Sequence, residues 1–268
     1  MKYILSLLTL FFISLLVSAQ TAEEYYSNGM VKFEQQEYNL AITEFTKAIE
    51  LNKNYAEAFC KRGITKHELQ DFQGAKLDLE QAIKIKPDYA EAYFKRGYSR
   101  FFLHDAAADE DYTKAIELNP QYGEAYYTRG HARKIKGDFN GAISDFTMLM
   151  EIRQGDALPF FDRAEVKTYK KDIEGAILDL SRAIELDSTF SLAYLELGRA
   201  KYNQANYESA IENFSKCIKY NPEDSEAFYN RGLAKIKVGM KTEACDDLTR
   251  ADEMGFAQAA EAKKLNCK

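Results

Sequence analysis

The chain has 268 residues, with 36 lysines and arginines against 42 acids and a formal net charge of −6. That balance offers no clustered positive charge for a phosphate backbone, so nucleic-acid binding is not expected. Four prolines and no tryptophan suit a helical chain, and four cysteines are too few for a scaffold built on disulfides.

The first segment, Met1–Ala19, reads MKYILSLLTLFFISLLVSA: one lysine, an apolar run, and Val17-Ser18-Ala19 before Gln20. A basic start, an apolar middle and small residues at the cut describe a secretory signal peptide. The alternative is an uncleaved anchor helix, but the run from Tyr3 to Val17 is short for a span of about 20 apolar residues. Ser6, Thr9 and Ser14 weaken it further, and no cysteine lies near the cut to carry a lipid. A periplasmic or secreted protein with no stable membrane anchor is therefore expected. Loss of Lys2 leaves 35 of the 36 basic residues against 42 acids, a net charge of −7 in place of −6.

From residue 22 the chain repeats. Alanine recurs at Ala41, Ala75, Ala108, Ala142, Ala176, Ala210 and Ala244, at spacings of 34, 33, 34, 34, 34 and 34. A small residue recurs at Gly29, Gly63, Gly97, Gly130, Ala164, Gly198 and Gly232, and an aromatic one at Tyr25, Phe59, Tyr93, Tyr126, Phe160, Tyr194 and Phe228. The units run 22–55, 56–89, 90–122, 123–156, 157–190, 191–224 and 225–258, with one residue deleted between Gly97 and Ala108. Within each, the fourth place is aromatic, the eighth small, the twentieth alanine and the twenty-fourth bulky: Phe45, Leu79, Tyr112, Phe146, Leu180, Phe214 and Leu248. A small eighth residue facing an alanine lets two helices approach closely while bulky residues fill in beside them. In the second unit these helices are expected over about Ala56–Gln70 and Phe72–Ile85.

These registers resemble the tetratricopeptide repeat (TPR), a helix-turn-helix unit of 34 residues, and Pro87, Pro120 and Pro222 occupy that family's proline slot. The resemblance implies an all-α, right-handed α-solenoid of seven units, followed by a C-terminal capping helix over 259–268. Each unit leaves an apolar face that only a neighbour can cover.

The chain departs from the family at the seventh and eleventh places. The seventh is Asn28, Arg62, Arg96, Arg129, Arg163, Leu197 and Arg231, and the eleventh is basic throughout. This is either a basic stripe for acidic partners or an internal ion-pair ladder. The twenty-third place favours the ladder, being Glu44, Asp78, Asp111, Asp145, Asp179, Asn213 and Asp247. Because the first unit has no predecessor and carries Asn28, each arginine is expected to reach the preceding unit's acid: Arg62 to Glu44, Arg96 to Asp78, Arg129 to Asp111 and Arg163 to Asp145.

Catalytic signals are missing. His67, His104 and His131 stand in separate units without metal-ligand spacing, and there is no CxxC, GxSxG, GxxxxGK[ST] or GxGxxG. No metal, cofactor or enzymatic activity is expected. Asn213-Phe214-Ser215 matches a glycosylation sequon.

In the TPR family the concave wall is lined by the second, fifth, ninth and twelfth residues of each first helix. By that resemblance the wall here is aromatic, with Tyr26, Phe33, Phe94, Tyr98, Phe101, Tyr127, Phe161, Tyr202 and Tyr229 as candidate contacts for a protein or peptide partner. The other reading is that several of these rings pack against neighbouring helices. The family's lysine-and-asparagine clamp for a C-terminal carboxylate is not matched, since no fifth-place residue is basic. The implied function is an exported interaction scaffold; the alternative is an envelope accessory that binds wall material or assists an envelope enzyme.

At the C-terminus a turn is expected at Gly255; Cys245 lies 8 residues before Glu253, where one helix should end, and Cys267 lies 10 beyond Ala257, where the next should begin. If helices over Thr242–Glu253 and from about Ala257 run antiparallel, these positions lie roughly 12 and 15 Å from the turn and nearly level. A disulfide between Cys245 and Cys267 is then expected; otherwise they are two unrelated thiols. N-terminal sequencing of the mature protein is expected to begin at Gln20, whereas an intact Met1 in membrane fractions would mean an uncleaved anchor.

Overall fold

The computed structural model describes residues 20–267, so the leader Met1–Ala19 lies outside the described residues. Among the described residues there are fifteen α-helices and no strand. The chain divides into two compact units, 1–125 and 126–268.

The N-terminal unit is built from α1 (Ala22–Glu34), α2 (Tyr38–Leu51), α3 (Ala56–Glu68), α4 (Phe72–Ile85), α5 (Ala90–Phe102) and α6 (Ala108–Leu118). Here α1 packs on α2, α3 on α4 and α5 on α6, while α2 meets α3 and α4 meets α5. The C-terminal unit takes up α7 (Gly123–Lys136) from Tyr126 and continues with α8 (Phe139–Ile152), α9 (Leu158–Tyr169), α10 (Ile173–Leu186) and α11 (Ser191–Asn203). It ends with α12 (Tyr207–Tyr220), α13 (Ser225–Lys237), α14 (Lys241–Glu253) and α15 (Ala259–Asn266). Successive helices pack from α8 through α15.

The turn between the two helices of a repeat is made the same way in every repeat but the third. In six repeats its second-last residue is left-handed, Gln36, Gln70, Lys171 and Ala205 at φ 58 to 62° and Gly137 and Gly239 at φ 81 and 82°, and in the longer turn of the third repeat the left-handed residue is His104 at φ 54°. This conformation closes the C-terminus of the first helix; the amide of Asp71, for example, donates back to the Lys66 carbonyl at 2.9 Å. It also explains why α3 stops at Glu68 instead of running to Gln70. The next residue caps the second helix. Asp71, Asp138 and Asp172 each accept from the amide three residues on, Gly74, Gly141 and Gly175, at 2.9 to 3.0 Å. In the third repeat the deletion falls in this turn, and α6 begins only at Ala108.

The core repeats with the same regularity. The twentieth-place alanines and twenty-fourth-place residues are buried, each of the latter adding about 1.5–3 kcal/mol. The eighth-place glycine lies against the twenty-fourth side chain so closely that a Cβ on Gly29 or Gly198 would stand 2.6 Å from the Phe45 or Phe214 ring. Opposite Leu248 the space is wider: a Cβ on Gly232 would meet Leu248 Cγ at 3.0 Å. In the fifth repeat Ala164 stands in this place and Leu180 at the twenty-fourth, both buried.

The chain closes with α15. Cys245 and Cys267 form a disulfide across 22 residues, with their Cα atoms 5.6 Å apart. Lys263 pairs with Asp252 at 2.6 Å, and Phe256 packs on Tyr229 with ring centroids 4.8 Å apart. Gly198→Ala and Gly232→Ala gain the same helix propensity, about 1 kcal/mol, so their difference sets the contact with the Phe214 ring at 2.6 Å against the looser contacts with Leu248 and the Ala244 carbonyl at 3.0 and 3.1 Å. Gly198→Ala is expected to be the less stable by about 1–3 kcal/mol, the usual cost of overpacking. Equal urea midpoints followed by circular dichroism would show that the Phe214 ring yields freely.

Candidate protein-binding surface

The polar ladder lies beside the glycine contact. Arg62 Nε and Nη2 donate to Asp78 Oδ2 and Oδ1 at 2.8 and 2.6 Å, and Lys66 approaches Asp78 at 2.7 Å. Arg96 and Arg100 hold Asp111, Arg129 and Arg133 hold Asp145, Arg163 and Lys167 hold Asp179, and Arg231 and Lys235 hold Asp247. All five aspartates are buried. Each carboxylate therefore has two cations from the first helix of its own repeat.

This corrects the expected pairing by one repeat. Arg62 reaches Asp78 rather than Glu44, Arg96 reaches Asp111 rather than Asp78, Arg163 reaches Asp179 rather than Asp145, and the paired edge of Arg129 lies on Asp145 rather than Asp111. Glu44 bonds Lys47 on its own helix at 2.7 Å. The reason is steric. The seventh and twenty-third places flank the eighth and twenty-fourth, which touch within a repeat, so the nearest carboxylate is the repeat's own.

Contact with the preceding repeat does exist, but it runs to a hydroxyl. Nη1 of Arg62, Arg163 and Arg231 donates to Thr46 Oγ1, Thr147 Oγ1 and Ser215 Oγ at 3.1, 2.9 and 3.1 Å. The fourth-place aromatic is the platform for the guanidinium, with Arg62 over Phe59, Arg96 over Tyr93, Arg129 over Tyr126 and Arg231 over Phe228 at 5.4 to 5.7 Å.

The aromatic residues of the first helices behave less uniformly. Phe94 is 6 % exposed and packs against Tyr98, Tyr112 and Tyr122, so it belongs to the core and not to an exposed wall. Tyr26, Phe33, Tyr98, Phe101, Tyr127, Phe161, Tyr202 and Tyr229 are each half-buried. Each also touches a neighbouring ring. Tyr26 meets Tyr55, Phe33 meets Tyr38, Phe161 meets Phe190 and Tyr202 meets Tyr207.

A TPR repeat model matches residues 29–70 and 198–239, and further tetratricopeptide repeat models match 56–89 and 111–144. The chain carries tetratricopeptide repeats. Among solved structures it is similar to the C-terminal part of a TPR repeat-containing protein from Cytophaga hutchinsonii, at 18% identity and a TM-score of 0.77, over 88% of this chain and 98% of that one. A tetratricopeptide repeat protein from Parabacteroides merdae matches at 17% identity and a TM-score of 0.63, over 93% and 100%. The APC/C hetero-tetramer Cut9–Hcn1 contains a chain similar at 16% identity and a TM-score of 0.56, over 92% of this chain and 49% of that one. At these identities the likeness is one of fold. No curated protein is significantly similar in sequence.

Within this TPR fold the residues that first suggest chemistry have structural surroundings. His67 bonds Ser99 Oγ at 3.0 Å and stacks on Tyr98, and burial lowers its pKa. His104 is the left-handed residue of its turn. Burial pushes the Cys60 and Cys217 thiols up to about 12, with Glu91 adding to the first and Asp224 to the second. Asn213 of the sequon is buried and donates to the Ser209 carbonyl at 2.8 Å. Among the described residues no group of three or more His, Cys, Asp or Glu is placed to hold a metal ion, and no helix is long and apolar enough to cross a membrane.

One signal for the correct pairing stands in the sequence. Leu197 and Asn213 replace the arginine and the aspartate in the same repeat, as partners within a repeat must. Arg163→Leu leaves Asp179 with Lys167 alone and is expected to cost about 1–3 kcal/mol. Arg163→Leu with Asp179→Asn, the sixth repeat's own combination, is expected to recover at least half of that. Simple addition of the two single effects in urea titrations would mean that the positions do not interact.

Proposed function

We propose that this TPR chain is an exported, non-catalytic adaptor that binds a protein or peptide partner through a concave, aromatic wall formed by the first helices of its repeats. The observation that carries the reading is the set of half-buried aromatic residues at the fifth, ninth and twelfth places, Tyr26, Phe33, Tyr98 and Phe101 in the N-terminal unit and Tyr127, Phe161, Tyr202 and Tyr229 in the C-terminal one. Neighbouring rings hold them in place while part of each remains exposed, and rigid, partly exposed aromatics dominate binding energy at protein interfaces. The ladder cations are satisfied by the repeats' own aspartates, which leaves the aromatics and the polar residues between them to meet a partner. A chain of similar fold forms part of the hetero-tetramer Cut9–Hcn1, in keeping with a scaffold. Export is supported by the Met1–Ala19 leader and by the Cys245–Cys267 disulfide, a bond that persists in oxidising compartments. A non-catalytic role accords with two buried thiols held protonated.

The test is capture of partners from cell-envelope extract on the immobilised mature protein. Phe33→Ala with Phe101→Ala removes two half-buried rings at twelfth places. A specific protein partner is expected on the wild type and at least tenfold less of it on the variant. Equal capture would overturn the aromatic wall, and binding to purified wall polymer with no protein partner would favour the envelope accessory.

A further inference from the structure

In the N-terminal unit four rings from α3, α4 and α5 meet between the second and third repeats. Phe72 and Phe102 stack with centroids 4.7 Å apart at 12°, and His67 and Tyr98 stack at 4.9 Å and 27°. The two stacks form a corner: His67 stands at 61° to Phe72 and 71° to Phe102, and Tyr98 at 88° to Phe102. Each ring is fixed by the others, yet Phe102 is 44 % exposed and the other three are half-buried. A cavity of about 410 Å³ opens against them, lined by His67, Glu68, Gln70, Phe72, Tyr98 and Phe102. That lies within the roughly 300–1,000 Å³ of small-molecule sites, which pair apolar walls with a few polar groups.

The polar groups decide what such a site could take. Ser99 is buried, and its hydroxyl donates to the Lys95 carbonyl one turn back at 3.1 Å, the back-bond of a helical serine. One hydroxyl carries one proton, so Ser99 Oγ accepts from His67 Nδ1, 3.0 Å away. The imidazole proton is then on Nδ1, and Nε2, at the far edge of the ring, is left as an acceptor. Burial holds His67 below its ordinary pKa; Glu68 raises it and Lys95 lowers it. A carboxylate and an ammonium thus offset one another beside a neutral imidazole, which favours neither a cation nor an anion. Glu68 adds acceptors to the lining, and Gln70 adds both a donor and an acceptor.

The C-terminal unit supplies a contrast at the same places of the repeat. Phe139 and Tyr169 stack there at 5.9 Å and 4°. Lys134 and Glu165 stand where His67 and Tyr98 do, and they pair at 3.1 Å. An ion pair replaces the second stack, and with it go the neutral acceptor and the corner.

We infer that the corner of the N-terminal unit binds a neutral sugar ring of a glycan, its C–H face on the aromatic walls and its hydroxyls on His67 Nε2, Glu68 and Gln70. A pyranose joins an apolar face to an edge of hydroxyl donors, the combination these walls and acceptors complement. The inference does not rest on the adaptor reading and leaves it standing. It is tested by isothermal titration calorimetry of the mature protein with cellohexaose, maltohexaose and chitohexaose, neutral oligosaccharides that differ in linkage and substituent. Tetramethylammonium chloride serves as the cation that an aromatic box would take. At least one sugar is expected to bind with a Kd below about 1 mM, and tetramethylammonium more weakly. His67→Phe keeps a ring in place without Nε2, and Phe102→Ala removes the exposed ring; each is expected to weaken the sugar fivefold or more. Tyr169→Ala removes an exposed, stacked ring beside the ion pair and is expected to change nothing. Binding of none of the three sugars, tighter binding of tetramethylammonium than of any sugar, or a loss on Tyr169→Ala as large as on Phe102→Ala overturns the inference. Should Phe102→Ala fail to fold by circular dichroism, His67→Phe decides.

Discussion

How close the backbone at the eighth place comes to the side chain at the twenty-fourth sets the geometry of every helix pair. Where glycine meets an aromatic ring there is no room for a methyl group, and a Cβ on Gly29, Gly97, Gly130 or Gly198 would fall within 3.0 Å of that ring. Interiors packed to this density do not adjust continuously, so the contact determines which residues on the flanking turns can meet. The twentieth-place alanine and the fourth-place ring follow from it. So does the meeting of the seventh-place arginine with the twenty-third-place aspartate.

That meeting gives the ladder its character. A buried aspartate held by two cations adds little net stability, since desolvating three charges offsets most of their attraction. Its value is in register: a displaced helix would leave a buried carboxylate without donors. The planar guanidinium lets one side chain serve three partners, a carboxylate by two bonds, a hydroxyl of the preceding repeat and an aromatic face. Lysine at the seventh place would reach only one of these. The sixth repeat shows the exchange carried through on both sides, with Leu197 and Asn213 both buried and Asn213 turned to a backbone carbonyl on its own helix.

Side chains partnered within the fold and side chains left partly exposed separate scaffold from surface. Arg62, Arg96, Arg163 and Arg231 spend their donors on neighbouring helices, and the buried Asp162 carboxylate faces His131 at 3.5 Å. The aromatics divide along the same line. Phe94, a fifth-place residue like Tyr26 and Tyr127, is lost to the core because Tyr98, Tyr112 and Tyr122 close around it.

The fold was legible in the sequence because each repeat contacts mainly its neighbours, so short-range spacing carries nearly all the packing information. Alanine at every twentieth place, glycine or alanine at every eighth and an aromatic residue at every fourth determined the elements and their order. What the repeat spacing left open was which of two nearly equidistant partners a side chain meets. Arg62 stands 18 residues after Glu44 and 16 before Asp78, and no periodicity distinguishes them; beyond the joint change at Leu197 and Asn213, it is the direction in which α3 faces α4 that does. Whether Phe94 or Phe161 is exposed depends likewise on what closes over it, Tyr112 and Tyr122 in one case and Phe190 in the other. The tertiary structure decided these points because burial and partnership depend on which faces adjoin, and spacing along the chain measures only how often a residue recurs on its own face.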